Sequence, residues 1–291
     1  MSNNRVPFVK MNGAGNQIVV ADMRGHETFV SPQAAIALSS DPATRFDQVM
    51  EVRDSDSEGV DAVVRILNSD GSEAEACGNG TRCVVSWLNR QSPREQFVFR
   101  TRAGILNARY VSETNITVDM GIPKFGWDEI PLEEEFGDTT GIELQVGPID
   151  DPILHTPSVA NMGNPHCVFW ADRDVNGYNL EQIGALLVYH PMFPEGANIS
   201  IAEVKSRDHV ILRTYERGVG ITQACGSAAC ATLVCAVRKG LTDRKALVTL
   251  PGGELEIEWD DRDHVLMTGP AEFEFSGMFD PETGVTSRED A

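Results

Sequence analysis

Most of this chain reads as short runs of alternating apolar and polar residues, cut by Gly, Pro and Asp, the pattern of antiparallel strands joined by turns. In the first half the runs predict strands over 5–10, 17–22, 48–53, 62–68, 96–101, 105–111 and 115–120. The second half answers with 158–161, 166–171, 199–204, 209–215, 246–250, 253–259 and 264–268. About two helices per half interrupt this rhythm. Those over 32–39 and 180–187 read as surface elements. The segment after Cys225, Ser227-Ala228-Ala229-Cys230-Ala231-Thr232-Leu233-Val234-Cys235-Ala236-Val237, is apolar nearly all round. A helix with no polar face must be covered on every side, which predicts a sheet wrapped around it. The stretch from Thr81 to Asn89, after Cys77, carries Cys83, Val84, Val85, Trp87 and Leu88 and reads the same way.

Those two helices follow two similar motifs, Ala76-Cys77-Gly78-Asn79-Gly80 and Ala224-Cys225-Gly226-Ser227-Ala228, which stand 148 positions apart. Further landmarks keep that offset: Gly15-Asn16 with Gly163-Asn164, Asn68 with Glu216, Gly104 with Gly252 and Gly121 with Gly269. Gln48 and Asn198 drift from it by two residues. A repeat this long points to a duplicated domain rather than a solenoid. It predicts an N-terminal domain over 1–122, completed by 271–291 through a strand near 271–277, and a C-terminal copy over 123–270. The acidic stretch 127–151 is expected as a solvated linker or loop face, and the last dozen residues as frayed.

Length and charge change the picture little. At 291 residues the chain fits two domains, and its net charge of −20 disfavours nucleic acid and anionic membranes as partners. No apolar run is long enough for a membrane span, and residues 1–10 lack the apolar core of a signal peptide, so a cytoplasmic location is expected. Six cysteines then read as reduced thiols, and none of their spacings makes a zinc knuckle. Metal is not expected. Cys83, Cys167, Cys230 and Cys235 read as packing residues. Cys77 and Cys225 differ, because a thiol at a helix mouth meets unpaired N–H groups and the positive dipole end, which favour thiolate. Two such thiols facing each other would make an acid and a base.

Taken together, Met11-Asn12-Gly13-Ala14-Gly15-Asn16, Asn68-Ser69-Asp70-Gly71-Ser72-Glu73, Cys77 to Cys83, Gly163-Asn164-Pro165-His166, and Glu216-Arg217-Gly218-Val219-Gly220 through Ser227 resemble the diaminopimelate epimerase family. The resemblance covers essentially the whole chain. It implies an α+β fold of two pseudo-symmetric domains, each a mostly antiparallel sheet rolled around a central buried helix, with the active site in the cleft between them. It also implies interconversion of LL- and meso-diaminopimelate without pyridoxal phosphate or any other cofactor, on the route to lysine and cell-wall peptide, and a homodimer. Asn12, Gln17, Ile221 and Ala228 depart from the commoner family pattern.

Inverting an α-carbon needs a proton removed from one face and another delivered to the opposite face, which suits two fixed groups, here Cys77 and Cys225. Without an electron sink, the charge spreads only into the α-carboxylate. The N–H groups around Gly78-Asn79 and Gly226-Ser227 would then stabilise it at the two helix mouths. Glu216 suits the substrate α-ammonium. The resemblance implies that Arg217, Asn68, Asn164 and Asn198 hold the distal carboxylate and amine, that Asn16 and Gln48 line the pocket, and that His166 lies near a catalytic thiol and relays or tunes a proton. Three rival expectations remain open from the residues: a proline or hydroxyproline racemase-like enzyme, a non-catalytic small-molecule binding protein of the same fold, and a redox-sensing pair of thiols.

Overall fold

The computed structural model describes residues 5–288. The chain divides into two compact units, one made of Met1–Asp119 with Thr268–Ala291 and the other of Met120–Met267. Each is a mixed sheet with two α-helices.

The first unit opens with the hairpin of β1 (Val6–Gly13) and β2 (Asn16–Asp22). Its two-residue loop puts Ala14 at φ 57° and Gly15 at φ 92°, the left-handed pair that matches the twist of a tight hairpin. Asn12 Oδ1 accepts the Gly15 N–H at 2.7 Å and closes the turn, which gives that family departure a local role. After α1 (Pro32–Ser40), capped by the Ser31 hydroxyl, come β3 (Gln48–Arg53), β4 (Ala62–Asn68) and the short β5 (Glu73–Ala74). Helix α2 (Gly78–Gln91) follows, then β6 (Gln96–Thr101), β7 (Gly104–Ser112) and β8 (Asn115–Asp119). Neighbouring pairs are mostly antiparallel, but β2 with β3 and β4 with β6 run parallel. A parallel pair needs a crossover, and α1 and α2 are those crossovers.

The second unit begins with β9 (Gln145–Val146) and β10 (Leu154–His155), a two-stranded ladder of its own. It continues with β11 (Ser158–Asn161), β12 (Pro165–Trp170), a 3-10 turn at Val175–Gly177, α3 (Leu180–Leu187), β13 (Asn198–Ser206), β14 (His209–Glu216), β15 (Gly220–Ile221), α4 (Gly226–Arg238), β16 (Lys245–Leu250), β17 (Gly253–Trp259) and the first three residues of β18 (Val265–Gly269). Its pairings repeat those of the first unit step for step. Strands β12 and β13 are parallel, β13 and β14 antiparallel, β14 and β16 parallel, β16 and β17 antiparallel.

The chain then returns to the first unit. β19 (Glu272–Phe279) pairs along β1 from Val6↔Phe279 to Asn12↔Glu272, and β20 (Thr286–Arg288) pairs back on β19. The expected fraying therefore does not hold for 280–288. Asp280 Oδ1 accepts the N–H groups of Glu282 and Thr283, and Gly284 donates to the Asp280 carbonyl, so a closed turn leads into β20. Residues 1–4 and 289–291, within the ranges expected for the first domain and its tail, lie outside the described residues.

Each sheet is covered on both faces. In the first unit, Val19, Ala21, Val49 and Leu67 pack with Ala34, Ala35 and Leu38 of α1. Helix α2 packs on β1, β2, β3, β7 and β8, and α4 packs on β11, β12, β13, β16 and β17. In α4, every residue from Ala228 to Ala236 is buried. In α2 the burial extends to Asn79, Arg82 and Ser86, so that helix is enclosed although its sequence is not wholly apolar. Arg82 is fully buried and donates through Nε to the Pro270 carbonyl at 3.1 Å.

The acidic stretch corrects an expectation. Ile130, Leu132, Ile142, Leu144 and Val146 join the core of the second unit with Phe169, Leu187 and Ile199. Glu133, Glu134 and Glu135 are exposed, as charge demands, but the segment that carries them is packed. Ile142, Leu144 and Val146 do alternate with polar residues as in a strand, but the run is short and follows a stretch dense in carboxylates, which is why the charge dominated the pattern.

Candidate active site

Both central helices begin one residue after a cysteine. Cys77 is the N-cap of α2 and Cys225 the N-cap of α4, each in extended backbone before a helical glycine. The two thiols have different surroundings. Cys77 Sγ accepts the Gly80 N–H at 3.2 Å and lies 3.8 Å from Asn16 Oδ1, so the first turn of α2 points a donor at the sulfur. Cys225 Sγ instead lies 3.0 Å from Glu216 Oε2 and 3.6 Å from Ser227 Oγ. Burial and then the Glu216 carboxylate hold the Cys225 thiol well above its ordinary pKa. The free protein thus carries Cys225 as a protonated thiol, the form of an acid.

Around Cys77 the expected polar residues stand at strand ends. Gln48 opens β3 and faces Asn68, the last residue of β4; Gln48 Nε2 donates to Asn68 Oδ1 at 3.0 Å. Asn68 Nδ2 reaches Ser72 Oγ at 3.0 Å, and Asn16 Nδ2 donates to Asp47 Oδ2 at 2.8 Å. Asp47, and Ser72, whose motif was noted without a role for it, thereby fix Asn16 and Asn68. A Cβ on Gly13 would stand 2.9 Å from the Asn79 carbonyl oxygen, so the hairpin turn approaches the mouth of α2 through a residue without a side chain. Lys10, nearly buried on β1, bonds Gln17 and lies 3.3 Å from Glu274.

Around Cys225 the same ladder positions are filled differently. Asn198 opens β13 opposite His166, and its Oδ1 accepts the Arg217 N–H at 2.9 Å. Glu216 ends β14 where Asn68 ends β4. The Arg217 guanidinium donates to the Glu195 and Gly196 carbonyls, and a Cβ on Gly196 would stand 2.8 Å from Arg217 Cδ. Gly226 and Ser227 form the first turn of α4. Thr222, absent from the sequence expectations, donates its hydroxyl to Glu216 Oε1 at 2.5 Å. Its signal was a near match in the repeat, drifting by two residues: in the first unit Ser72 likewise bonds Asn68, the side chain that ends β4.

His166 is fully buried on β12, with Nε2 2.8 Å from Asn164 Oδ1. Burial and the Arg217 charge push its pKa down to about 3, so the ring is neutral. The partner that it meets is thus an amide. The other thiols are packing residues by environment: Cys83, Cys167, Cys230 and Cys235 are buried, and burial pushes Cys83 and Cys235 up to about 12. Among the described residues, no group of three or more His, Cys, Asp or Glu side chains could hold a metal ion.

These two constellations belong to a chain with close relatives. The family model for diaminopimelate epimerase matches residues 8–126 and 158–274. Curated diaminopimelate epimerases from Brucella anthropi and Rhizobium meliloti are 59% and 58% identical, each alignment covering 98% of this chain and 95% of the relative. Among solved structures, a phenazine biosynthesis protein of the PhzF family from Bacillus anthracis superposes with a TM-score of 0.65 at 15% identity, over 94% of this chain and 98% of the other. A hydroxyproline epimerase from Agrobacterium vitis gives 0.64 at 16% identity, over 95% and 91%. At such identities the structural likeness speaks for the α+β fold alone. The family match and the relatives together show that this chain belongs to the diaminopimelate epimerase family.

Proposed function

We propose that the protein is an isomerase that interconverts LL- and meso-diaminopimelate by two-base proton transfer, with Cys77 and Cys225 as the two carriers. The observation that carries this reading is the thiol pair at the helix mouths, alike in backbone position and different in environment. Both sulfurs face a backbone donor, from Gly80 and from Ala228, which favours thiolate, but the second also meets the Glu216 carboxylate, which favours thiol. In one direction Cys77 removes the α-proton as base while Cys225 delivers a proton to the opposite face, and in the other direction the roles exchange.

The developing charge flows into the substrate α-carboxylate. Backbone N–H groups at Gly78-Asn79 and Gly226-Ser227, with the positive ends of α2 and α4, suit that carboxylate. Glu216 suits the α-ammonium. The distal amino-acid end falls to Arg217, Asn68, Asn164 and Asn198, with Asn16 and Gln48 lining the pocket. His166 acts by orienting the Asn164 amide, in keeping with its neutral, buried ring.

A proline or hydroxyproline racemase is not favoured, since relatives near 58% identity carry the diaminopimelate name and Arg217 offers a grip that a substrate with one charged end would leave unused. The proposal extends to work in the cytoplasm as a homodimer on lysine and peptidoglycan precursors. No helix among the described residues is long and apolar enough to cross a membrane.

The deciding experiment is proton exchange. Incubation of the purified protein with LL-diaminopimelate in deuterated water, with no added cofactor, is expected to place deuterium at one α-carbon. Exchange into proline but not diaminopimelate would overturn the substrate, and exchange into neither would overturn the reaction.

A further inference from the structure

The hairpin that follows β14 does more than reverse the chain. Glu216 pairs with Gly220 and Tyr215 with Ile221, so β15 brings residue 222 back beside the strand end. There the Thr222 hydroxyl stands 2.5 Å from Glu216 Oε1, while Cys225 Sγ stands 3.0 Å from Oε2. One carboxylate therefore has a separate donor on each oxygen, both supplied within the ten residues from 216 to 225. A carboxylate only accepts, so the hydroxyl proton lies toward Glu216.

We propose that Thr222 is a positioning residue: its hydroxyl fixes the Glu216 carboxylate in the orientation in which the other oxygen holds the proton of the Cys225 thiol. Thr222 does not touch the reacting carbon and acts through Glu216. The chemistry explains why a hydroxyl is needed. Glu216 is half-buried and its side chain has three rotatable bonds, so with one oxygen released the group can swing toward water. Tying Oε1 by a charge-assisted bond removes that freedom. The groups facing the sulfur are the Glu216 carboxylate from the strand and hairpin side, and the Ser227 hydroxyl and Ala228 N–H from α4. Of these the charged one is Glu216. The first unit carries the neutral counterpart, in which Ser72 Oγ meets Asn68 Nδ2 at 3.0 Å. The duplicated hairpin thus orients the strand-end side chain in both halves, and only in the second is that side chain an anion beside a thiol.

The catalytic meaning of this device rests on the reading of Cys225 as a proton carrier, but its test needs no turnover. The alkylation rate of Cys225 by iodoacetamide, followed across pH by mass spectrometry of its peptide, reports the thiolate fraction. Thr222→Val, which keeps the volume and removes the hydroxyl, is expected to lower the midpoint by about one pH unit, so that Cys225 reacts about tenfold faster at a pH below both midpoints. Thr222→Ser is expected to restore the native midpoint. In a Glu216→Gln background, Thr222→Val is expected to change nothing further. A Thr222→Val midpoint that stays or rises in a protein with the native circular dichroism spectrum overturns the proposal. A shift that persists without the Glu216 charge also overturns it. If Thr222→Val does not fold, Thr222→Ala is read against the same outcomes. Lost epimerase activity in the native protein would instead count against the proposed function and leave this coupling standing or falling by itself.

Discussion

The fully buried His166 has Nε2 2.8 Å from Asn164 Oδ1, and the ring stays neutral down to a pH of about 3. The oxygen of an amide only accepts, so Nε2 carries the proton in this pair, and Nδ1 faces the interior without a hydrogen-bond partner. In the unfolded chain the same ring takes up a proton near its ordinary pKa of about 6.5. Below that pH the unfolded state binds a proton that the folded state refuses until about 3. The stability that His166 contributes is therefore present above about pH 6.5 and lost as the pH falls toward 3, with a slope approaching roughly 1.4 kcal/mol per pH unit. Urea unfolding of the native chain and of His166→Gln, at several pH values between 7.5 and 4.5, should show the flatter dependence in the variant.

The thiols separate into two kinds. Cys77→Ala and Cys225→Ala are expected to abolish epimerisation while leaving the circular dichroism spectrum intact. Cys235→Ala, in the enclosed face of α4, is expected to retain turnover and lose about 1 kcal/mol of stability through the small cavity it leaves. Full activity in either of the first two would overturn two-thiol chemistry.

Two helical glycines predict different tolerances. A Cβ on Gly184 in α3 would stand 2.2 Å from Tyr215 Cγ and 2.4 Å from its Cβ, atoms held by β14 next to Glu216. A Cβ on Gly80 meets Met50 at Sδ, 2.4 Å away, which a flexible thioether can relieve. Gly184→Ala should cost at least about 2–3 kcal/mol, and Gly80→Ala nearer 1 kcal/mol, in urea midpoints at equal slope.

Glu51 is a fully buried carboxylate that bonds Arg53 at 3.0 Å and Arg65 at 3.1 Å, and accepts the Val30 N–H at 3.2 Å. Removing it takes the shared anion from two partly buried guanidiniums, although Arg65 keeps Glu73 and Arg53 keeps the Thr28 and His26 carbonyls. Glu51→Ala is expected to destabilise the protein by about 3 kcal/mol, the lower part of the range for breaking a buried pair because both guanidiniums keep some contact with water. Thermal unfolding checks the size of the loss.

Much of this molecule was legible in its sequence, and the particular residues say why. The helix after Cys225 was evident because nine consecutive buried residues leave it no polar face. The strand ends at Gln48, Asn68, Asn198 and Glu216 were marked by the repeat, and all four meet polar partners there. The parallel pairs were not legible, because the continuous run Ile18-Val19-Val20-Ala21 in β2 marks burial on both faces but not direction, and only the crossover through α1 sets that. Nor was Arg82 inside α2, since a charge in a helix ordinarily marks the wet face. The roles of Asp47, Ser72 and Thr222 escaped because each acts on a site residue through its side chain alone, and a small polar side chain in a turn looks like any other.

The return of β19 to β1 also bears on how the protein is made. The second unit is a continuous segment, whereas the first lacks a strand until residues 268–279 have emerged. A ribosome delivers the first unit's opening hairpin early, yet that hairpin must wait with an open edge along Val6–Gly13 for a partner more than two hundred residues downstream. The part of the chain that is synthesised first is thus completed last. A nonsense lesion ahead of β19 would leave that edge permanently exposed, and so turn a loss of function into a hazard for aggregation.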